Sequence, residues 1–438
     1  MDKIVVLDFG SQYSHLICRR IREFSVYAEL VPFDISYEEL QKLNPKGIIF
    51  SGGPSSVYNS DAPVPENKIF EMGLPLLGIC YGHQLIVNKF GGKVKRANKE
   101  YGSSLLTIDS DKDLLSDVGE SVRAWMSHGD EAEEIPPGFQ IIGHTEGAKA
   151  AAIASEERSV YGIQFHPEVV HTEQGTEILK NFVLKVCKAK QDWSMEGFID
   201  TAVEKISKIE GNVLCGVSGG IDSTVVALLI HKAIGDRLKC VFVNNGLLRL
   251  NEENEVEDMF KNNFNVNFTS IDASEKFLGK LKGIEDPEKK RMIIGEEFVH
   301  VFTEFAEKSG PFKWLAQGTL YPDVIESGVS KGPAAVIKSH HNVGGLPDWL
   351  NLEILEPVRE LYKDEVREIA KILQVPEKLF MRHPFPGPGL AVRIIGEVTP
   401  VKLQISKVAS KIVEEELISA GLYSKVWQAY AAVGDDKA

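Results

Sequence analysis

The chain has 438 residues, 43% hydrophobic and 26% charged, a length and composition that predict two or three soluble globular domains. Its 49 basic and 63 acidic residues leave a net charge of −14, which disfavours sequence-independent binding to nucleic acid. No run of about 18 apolar residues occurs, and the N-terminus lacks a signal-peptide core, so neither a membrane span nor export is predicted. Five widely spaced cysteines (Cys18, Cys80, Cys187, Cys215, Cys240), with no CxxC pair, predict a reducing, cytoplasmic setting without disulfides or structural zinc.

From the N-terminus, the β-rich runs Lys3–Leu7, Gly47–Phe50 and Leu74–Ile79 alternate with helical stretches such as Ser14–Phe24. That alternation predicts a mainly parallel sheet covered on both faces, extended by Tyr101–Ile108 and Tyr161–Gln164. Within it, Gly78-Ile79-Cys80-Tyr81-Gly82 sets a cysteine between glycines at a strand-to-helix turn. This is a nucleophile elbow with sulfur for oxygen, and the following helix N-terminus favours thiolate. A nucleophilic cysteine needs a base and an orienting group. His166 and Glu168 of Gln164-Phe165-His166-Pro167-Glu168 stand two apart and, in an extended segment, share a side. Ser51-Gly52-Gly53-Pro54 offers Gly53 N–H to an oxyanion hole, with Tyr81 N–H as the second donor. His128 reads as a structural or substrate-side residue, and the other four cysteines read as small core residues.

The polar stretch Cys187–Trp193 marks a boundary, after which a second alternation begins: strand Asn212–Val217, helix Ser223–Ile234, strand Leu238–Asn244 and amphipathic helix Glu252–Asn263. Between the first pair lies Ser218-Gly219-Gly220-Ile221-Asp222-Ser223-Thr224. Glycines let several N–H groups face one anion, the helix adds its positive end, and Ser218, Ser223 and Thr224 add hydroxyls. Asp222 is a candidate ligand for Mg²⁺. The loop is not a Walker A sequence, and the chain has no GxGxxG run. Lys290, Arg291 and Lys338 are candidate cations for the same site, and adjacent His340-His341 are poor metal ligands without partners. Gly328–Gly345 reads as a surface loop and candidate lid. From Arg382 the chain turns to His383-Pro384-Phe385-Pro386-Gly387-Pro388-Gly389, which stops regular structure, followed by a helix from Pro400 to Gly421. The fold class expected is α/β: two doubly wound, mainly parallel-sheet domains plus a partial α+β C-terminal segment.

Taken together with Gln317–Ser327, Lys338–Leu346 and Arg382–Leu390, these residues resemble the GMP synthetase family. The resemblance implies three parts: a class I glutamine amidotransferase over 1–189, an ATP pyrophosphatase with its PP-loop at Ser218–Thr224 over 190–382, and a partial dimerisation and XMP-binding domain over 383–438. It implies a Cys80, His166, Glu168 triad and substrates glutamine, ATP and XMP. It also implies Mg²⁺ with ATP, nucleotide and lid roles for Asp323, Glu326 and Lys338, and an XMP contact at Arg382. The family's lid is expected to order on nucleotide binding and to raise glutaminase activity. The family forms homodimers through a C-terminal domain that continues past the point where this sequence ends. Two rival readings remain: a PP-loop enzyme making another amidated product, and a catalytically silent nucleotide sensor, against which the intact triad and loop argue.

Overall fold

In a computed structural model, residues 1–324, 352–380 and 382–435 are described. They fall into two compact units, Met1–Ser194 and Met195–Ala438. The first is built on a nine-stranded sheet. Its strands are β1 (Lys3–Asp8), β2 (Tyr27–Pro32), β3 (Gly47–Phe50), β4 (Leu76–Ile79), β5 (Lys93–Ile108), β6 (Ser121–Glu134), β7 (Gln140–His144), β8 (Ala152–Ser155) and β9 (Val160–Ile163), ordered β2-β1-β3-β4-β9-β8-β7-β5-β6. From β2 to β9 every pairing is parallel, and from β9 to β6 every pairing is antiparallel. The central strands are covered on both faces and so are continuously apolar: Ile4, Val5, Val6 and Leu7 of β1 are fully buried.

Helices α1 (Ser14–Arg22), α2 (Tyr37–Leu43), α3 (Tyr81–Lys89) and α4 (Gly175–Lys180) accompany this sheet. Ser36 and Glu39 form a reciprocal capping box at the start of α2. Leu85, Ile86 and Val87 of α3 pack with Leu7, Phe50 and Ile153 in one core. The Tyr101–Ile108 expectation is met by β5, which begins eight residues earlier and pairs with β6 as a long antiparallel ribbon.

The second unit carries an all-parallel sheet of β10 (Val213–Gly216), β11 (Leu238–Asn244), β12 (Phe268–Asp272), β13 (Trp314–Ala316) and β14 (Glu353–Leu355), ordered β12-β11-β10-β13-β14. The order reverses at β10, so the loops after β10 and β13 flank the crevice where doubly wound sheets bind ligands. Its helices among the described residues are α5 (Met195–Ser207), α6 (Ile221–Ile234), α7 (Glu252–Asp258), α8 (Ser274–Lys280), α9 (Pro287–Ser309), α10 (Lys363–Ile372), α11 (Glu377–Phe380) and α12 (Pro400–Ser419). Helix α7 passes into a π-helical turn, Met259–Asn263, where sequence periodicity predicts one continuous helix. Ile294, Val301 and Phe302 of α9 pack on Leu214, Val241 and Leu315, and Leu390, Ile394, Val398 and Leu403 belong to that same core. No helix among the described residues is long and apolar enough to cross a membrane.

Candidate active sites

Cys80, between β4 and α3, has φ 51° and ψ −102°, a conformation that non-glycine residues rarely hold and that over-determined surroundings must enforce. Its glycine neighbours are sterically required: a Cβ on Gly78 would lie 2.4 Å from Gly82 C, and one on Gly82 would lie 2.5 Å from Phe50 O. The turn throws Sγ toward the carboxyl end of the sheet, where β9 delivers the other two predicted residues. His166 Nδ1 donates to Glu168 Oε1 at 2.7 Å, which leaves Nε2 for the sulfur. Both side chains are buried, Glu168 completely, and Tyr13 meets the imidazole edge-on at 5.7 Å. Burial opposes a charged ring, but hydrogen bonds to Cys80 and Glu168, and their charges, raise the His166 pKa to about 10. Such a ring is an imidazolium at neutral pH and favours a thiolate beside it.

The Ser51–Gly53 turn lies against this pair. A Cβ on Gly52 would stand 3.0 Å from His166 Cε1 and 3.6 Å from Cys80 Cβ, and one on Gly53 would collide with Phe9 O at 2.6 Å. Tyr81 opens α3 directly after the nucleophile, and its hydroxyl donates to Pro63 O. On the far side, Ser127 O faces Cys80 Sγ at 3.6 Å. His128 is held between Asp130 O (3.1 Å) and Glu100 Oε2 (3.2 Å), and Asp130 takes the Ser56 hydroxyl, so this strand is part of the wall.

In the second unit, the Ser218–Thr224 loop is closed by its own hydroxyls. Ser223 Oγ accepts from Ser218 N–H at 3.2 Å, Ser218 Oγ accepts from Gly220 N–H at 3.3 Å, and Thr224 Oγ1 donates to Gly220 O at 2.8 Å. Gly219 has φ 72°, and a Cβ there would stand 2.6 Å from Val256 of α7. Ile221 and Asp222 form the first turn of α6. Asp222 is gripped by Lys363 Nζ at 2.6 and 2.5 Å, a cation that the sequence alone does not single out. A Cβ on Gly318 would stand 3.4 Å from Asp222 Cβ, which brings the segment after β13 to the loop. Asp323 sits five residues further and accepts Leu320 N–H at 2.9 Å.

Lys290 is buried and gives its N–H groups to Ala391 O, Ile394 O and Gly396 O, so it braces the core instead of facing a phosphate, and Arg291 pairs with Glu288. Arg382 pairs with Glu255 and stands 3.6 Å from Glu252. Beside it, Arg249 and Arg393 place guanidinium carbons 4.2 and 4.9 Å from the Phe385 ring centre, and Arg393 also lies 4.4 Å from that of Tyr430. Burial, then the charge of Arg249, lowers the pKa of Arg393, which is only 7% exposed. Glu326, Lys338, His340-His341 and the candidate lid lie outside the described residues.

Comparison with known proteins gives two family matches: class-I glutamine amidotransferase over residues 5–186 and NAD synthase over residues 193–292. The chain is 52% identical over 434 residues to the glutamine-hydrolysing GMP synthase of Brachyspira hyodysenteriae, covering 98% of this chain and 84% of that protein. It is 53% identical over 436 residues to the enzyme of the same name from Caldicellulosiruptor saccharolyticus, covering 99% and 85%. Among solved structures it is similar to a glutamine amidotransferase of Thermotoga maritima, with 16% identity and a TM-score of 0.36, covering 43% of this chain and 98% of that one.

Proposed function

The chain belongs to the family of glutamine-hydrolysing GMP synthases, and from that premise we propose how its residues divide the reaction. Residues 1–189 act as the glutaminase, 190–382 as the ATP pyrophosphatase, and 383–438 as part of the XMP-binding and dimerisation domain. Cys80 Sγ attacks the side-chain carbonyl carbon of glutamine, with Gly53 and Tyr81 N–H stabilising the oxyanion. His166 passes its proton to the departing nitrogen, and ammonia leaves. Water then cleaves the glutamyl thioester as His166 takes its proton, and glutamate is released. The observation that carries this reading is the 2.7 Å bond from His166 to Glu168, which fixes the imidazole with its other nitrogen toward Cys80.

At the second site, XMP O2 attacks the α-phosphorus of ATP, and pyrophosphate departs onto the N–H groups and hydroxyls of Ser218–Thr224. Ammonia then displaces AMP from the adenylated base to give GMP. Mg²⁺ takes one or two carboxylates alongside substrate phosphates. Asp222 supplies one at the loop and fits that habit, with Lys363 beside it as a second cationic handle. Mg²⁺ bound there would neutralise charge on the leaving pyrophosphate. Asp323, Glu326 and Lys338 complete the nucleotide side of this reading. Arg382, flanked by Arg249 and Arg393, is the candidate for XMP, supported by the buried positive charge around Phe385.

A cytoplasmic homodimer completes the proposal. Val401, Ile405, Val408 and Ile412 lie at successive-turn spacing on α12 and are all exposed, a stripe that water disfavours. Light scattering on the full chain should return twice the monomer mass, and a monomer insensitive to Ile405→Glu ends that part of the reading. The catalytic reading is tested by glutamate release from glutamine and by pyrophosphate release from ATP. The first is expected to vanish in Cys80→Ala and the second to require XMP. Pyrophosphate release that ignores XMP would favour another acceptor.

A further inference from the structure

Ile79 pairs with Ile163 where β4 and β9 run parallel, so the next residues, Cys80 and Gln164, emerge side by side from the sheet. The backbone there is pinned by Cys80 N–H to Ile163 O (2.8 Å) and Gln164 N–H to Ala151 O (2.8 Å). Gln164 is 1% exposed, and its Nε2 stands 3.7 Å from Cys80 Sγ, within reach of a sulfur hydrogen bond. Its Oε1 faces Gln84 Nε2 at 3.5 Å, and that same nitrogen donates to Asp130 O at 2.9 Å. The carbonyl of Asp130 can only accept, so the atom of Gln84 facing it is the NH₂. The atom of Gln164 facing that NH₂ is therefore oxygen, and its own NH₂ is turned to the sulfur.

We propose that Gln164 is a catalytic residue of the glutaminase: its side-chain N–H stabilises the Cys80 thiolate, and Gln84 is a positioning residue that holds the amide in the donating orientation. The inference rests on reading Cys80 as the nucleophile. The sulfur has two sets of partners. As a thiol it donates to Ser127 O at 3.6 Å. Once its proton passes to His166, that carbonyl offers nothing to the anion, whereas Gln164 and the imidazolium do. Gln164 moves no proton. It changes which protonation state of Cys80 the pocket prefers, in the way amide donors aimed at developing charge act elsewhere. Among the described residues, the titratable and charged groups on the segments that meet the sulfur are His166 and Glu168 after β9, with Tyr13 against the ring and Arg20 on Glu168 O, His83 on α3, His128 and Asp130 on β6, and Glu100 on β5. His83 is fully buried and held neutral by burial and by His128, so it brings no positive charge to the anion.

The test follows alkylation of Cys80 by iodoacetamide against pH in the full chain, with the modified residue identified by mass spectrometry. Gln164→Leu should move the rate–pH profile of alkylation to higher pH by about one unit, a loss of about tenfold in rate on its acid limb. It should lower kcat for glutamine hydrolysis by a similar factor, with KM unchanged. Gln164→Glu keeps the shape and the acceptor toward Gln84 but removes the donor, and should shift the midpoint further. Gln84→Leu, which frees the amide to rotate, should give a smaller shift of the same sign. Alkylation profiles for Gln164→Leu or Gln164→Glu that superimpose on the unmodified protein overturn the inference. Glutaminase activity persisting in Cys80→Ala overturns the nucleophile reading instead, so the two failures are told apart.

Discussion

Glu168 is fully buried, and of its two carboxylate oxygens only Oε1 has a hydrogen-bond partner, the His166 ring, while its backbone carbonyl accepts from Arg20 Nε at 3.3 Å. A buried carboxylate so placed depends on that ring being charged. The His166 pKa, ordinarily near 6.5, is raised to about 10 in the folded protein. A raised base stabilises the fold fully below its unfolded pKa and loses that contribution as pH climbs through the folded one. Glu168→Gln should therefore cost stability at pH 6, measured by urea unfolding, and the gap to the unmodified protein should close by pH 10.5. A gap that widens with pH contradicts the charge assignment. The same substitution should reduce kcat for glutamine hydrolysis by roughly 10²–10⁴-fold, since it removes the group that orients the base. The meeting of Cys80, His166 and Glu168 could be read from sequence because each announces itself within a few residues, through flanking glycines or two-residue spacing. Gln164 and Lys363 could not: Gln164 meets Cys80 across 84 residues, and Lys363 meets Asp222 across 141. No local pattern marks a residue whose chemistry depends only on where the sheet brings it.

Among the elements, the strand–loop–helix of β10 and α6 was legible because its glycines, hydroxyls and apolar flanks are contiguous, and Leu238–Asn244 is strand β11 to the residue. The turn Met259–Asn263 was not, since a π-helical residue changes hydrogen bonding without changing which side chains are apolar. The proline- and glycine-rich run after Arg382 reads as a break, yet Gly389 has φ 63° and a Cβ there would stand 2.4 Å from Leu247 O, so that break is a tight packing joint against the segment after β11. Helix α10 has a role its sequence does not advertise, because its first residue, Lys363, holds Asp222 at the mouth of the phosphate loop. Both side chains are partly exposed, so this pair contributes only about 0–1 kcal/mol to folding. Lys363→Met should leave the melting temperature almost unchanged while cutting XMP-dependent pyrophosphate release severalfold or more. A large loss of stability with intact pyrophosphate release would make the pair a structural brace instead.

At the scale of the whole molecule, the two units carry chemistries that need each other only through one small neutral product. Ammonia in bulk water at neutral pH is mostly protonated, and the ammonium ion has no lone pair to offer an adenylated base. That makes glutamine hydrolysis on the same chain useful, and it also makes the dependence removable. In Cys80→Ala, glutamine-dependent GMP formation should be lost, whereas an ammonium salt at alkaline pH, where free base is abundant, should restore it. Asp222→Ala should lose GMP formation from either nitrogen source while retaining glutamate release, because the residues proposed for the glutaminase all lie within Met1–Ser194. Following GMP and glutamate in one assay separates these outcomes. If ammonium fails to restore GMP in Cys80→Ala while pyrophosphate is still released from ATP and XMP, then Cys80 does more than supply nitrogen, and the division of labour between the units is wrong.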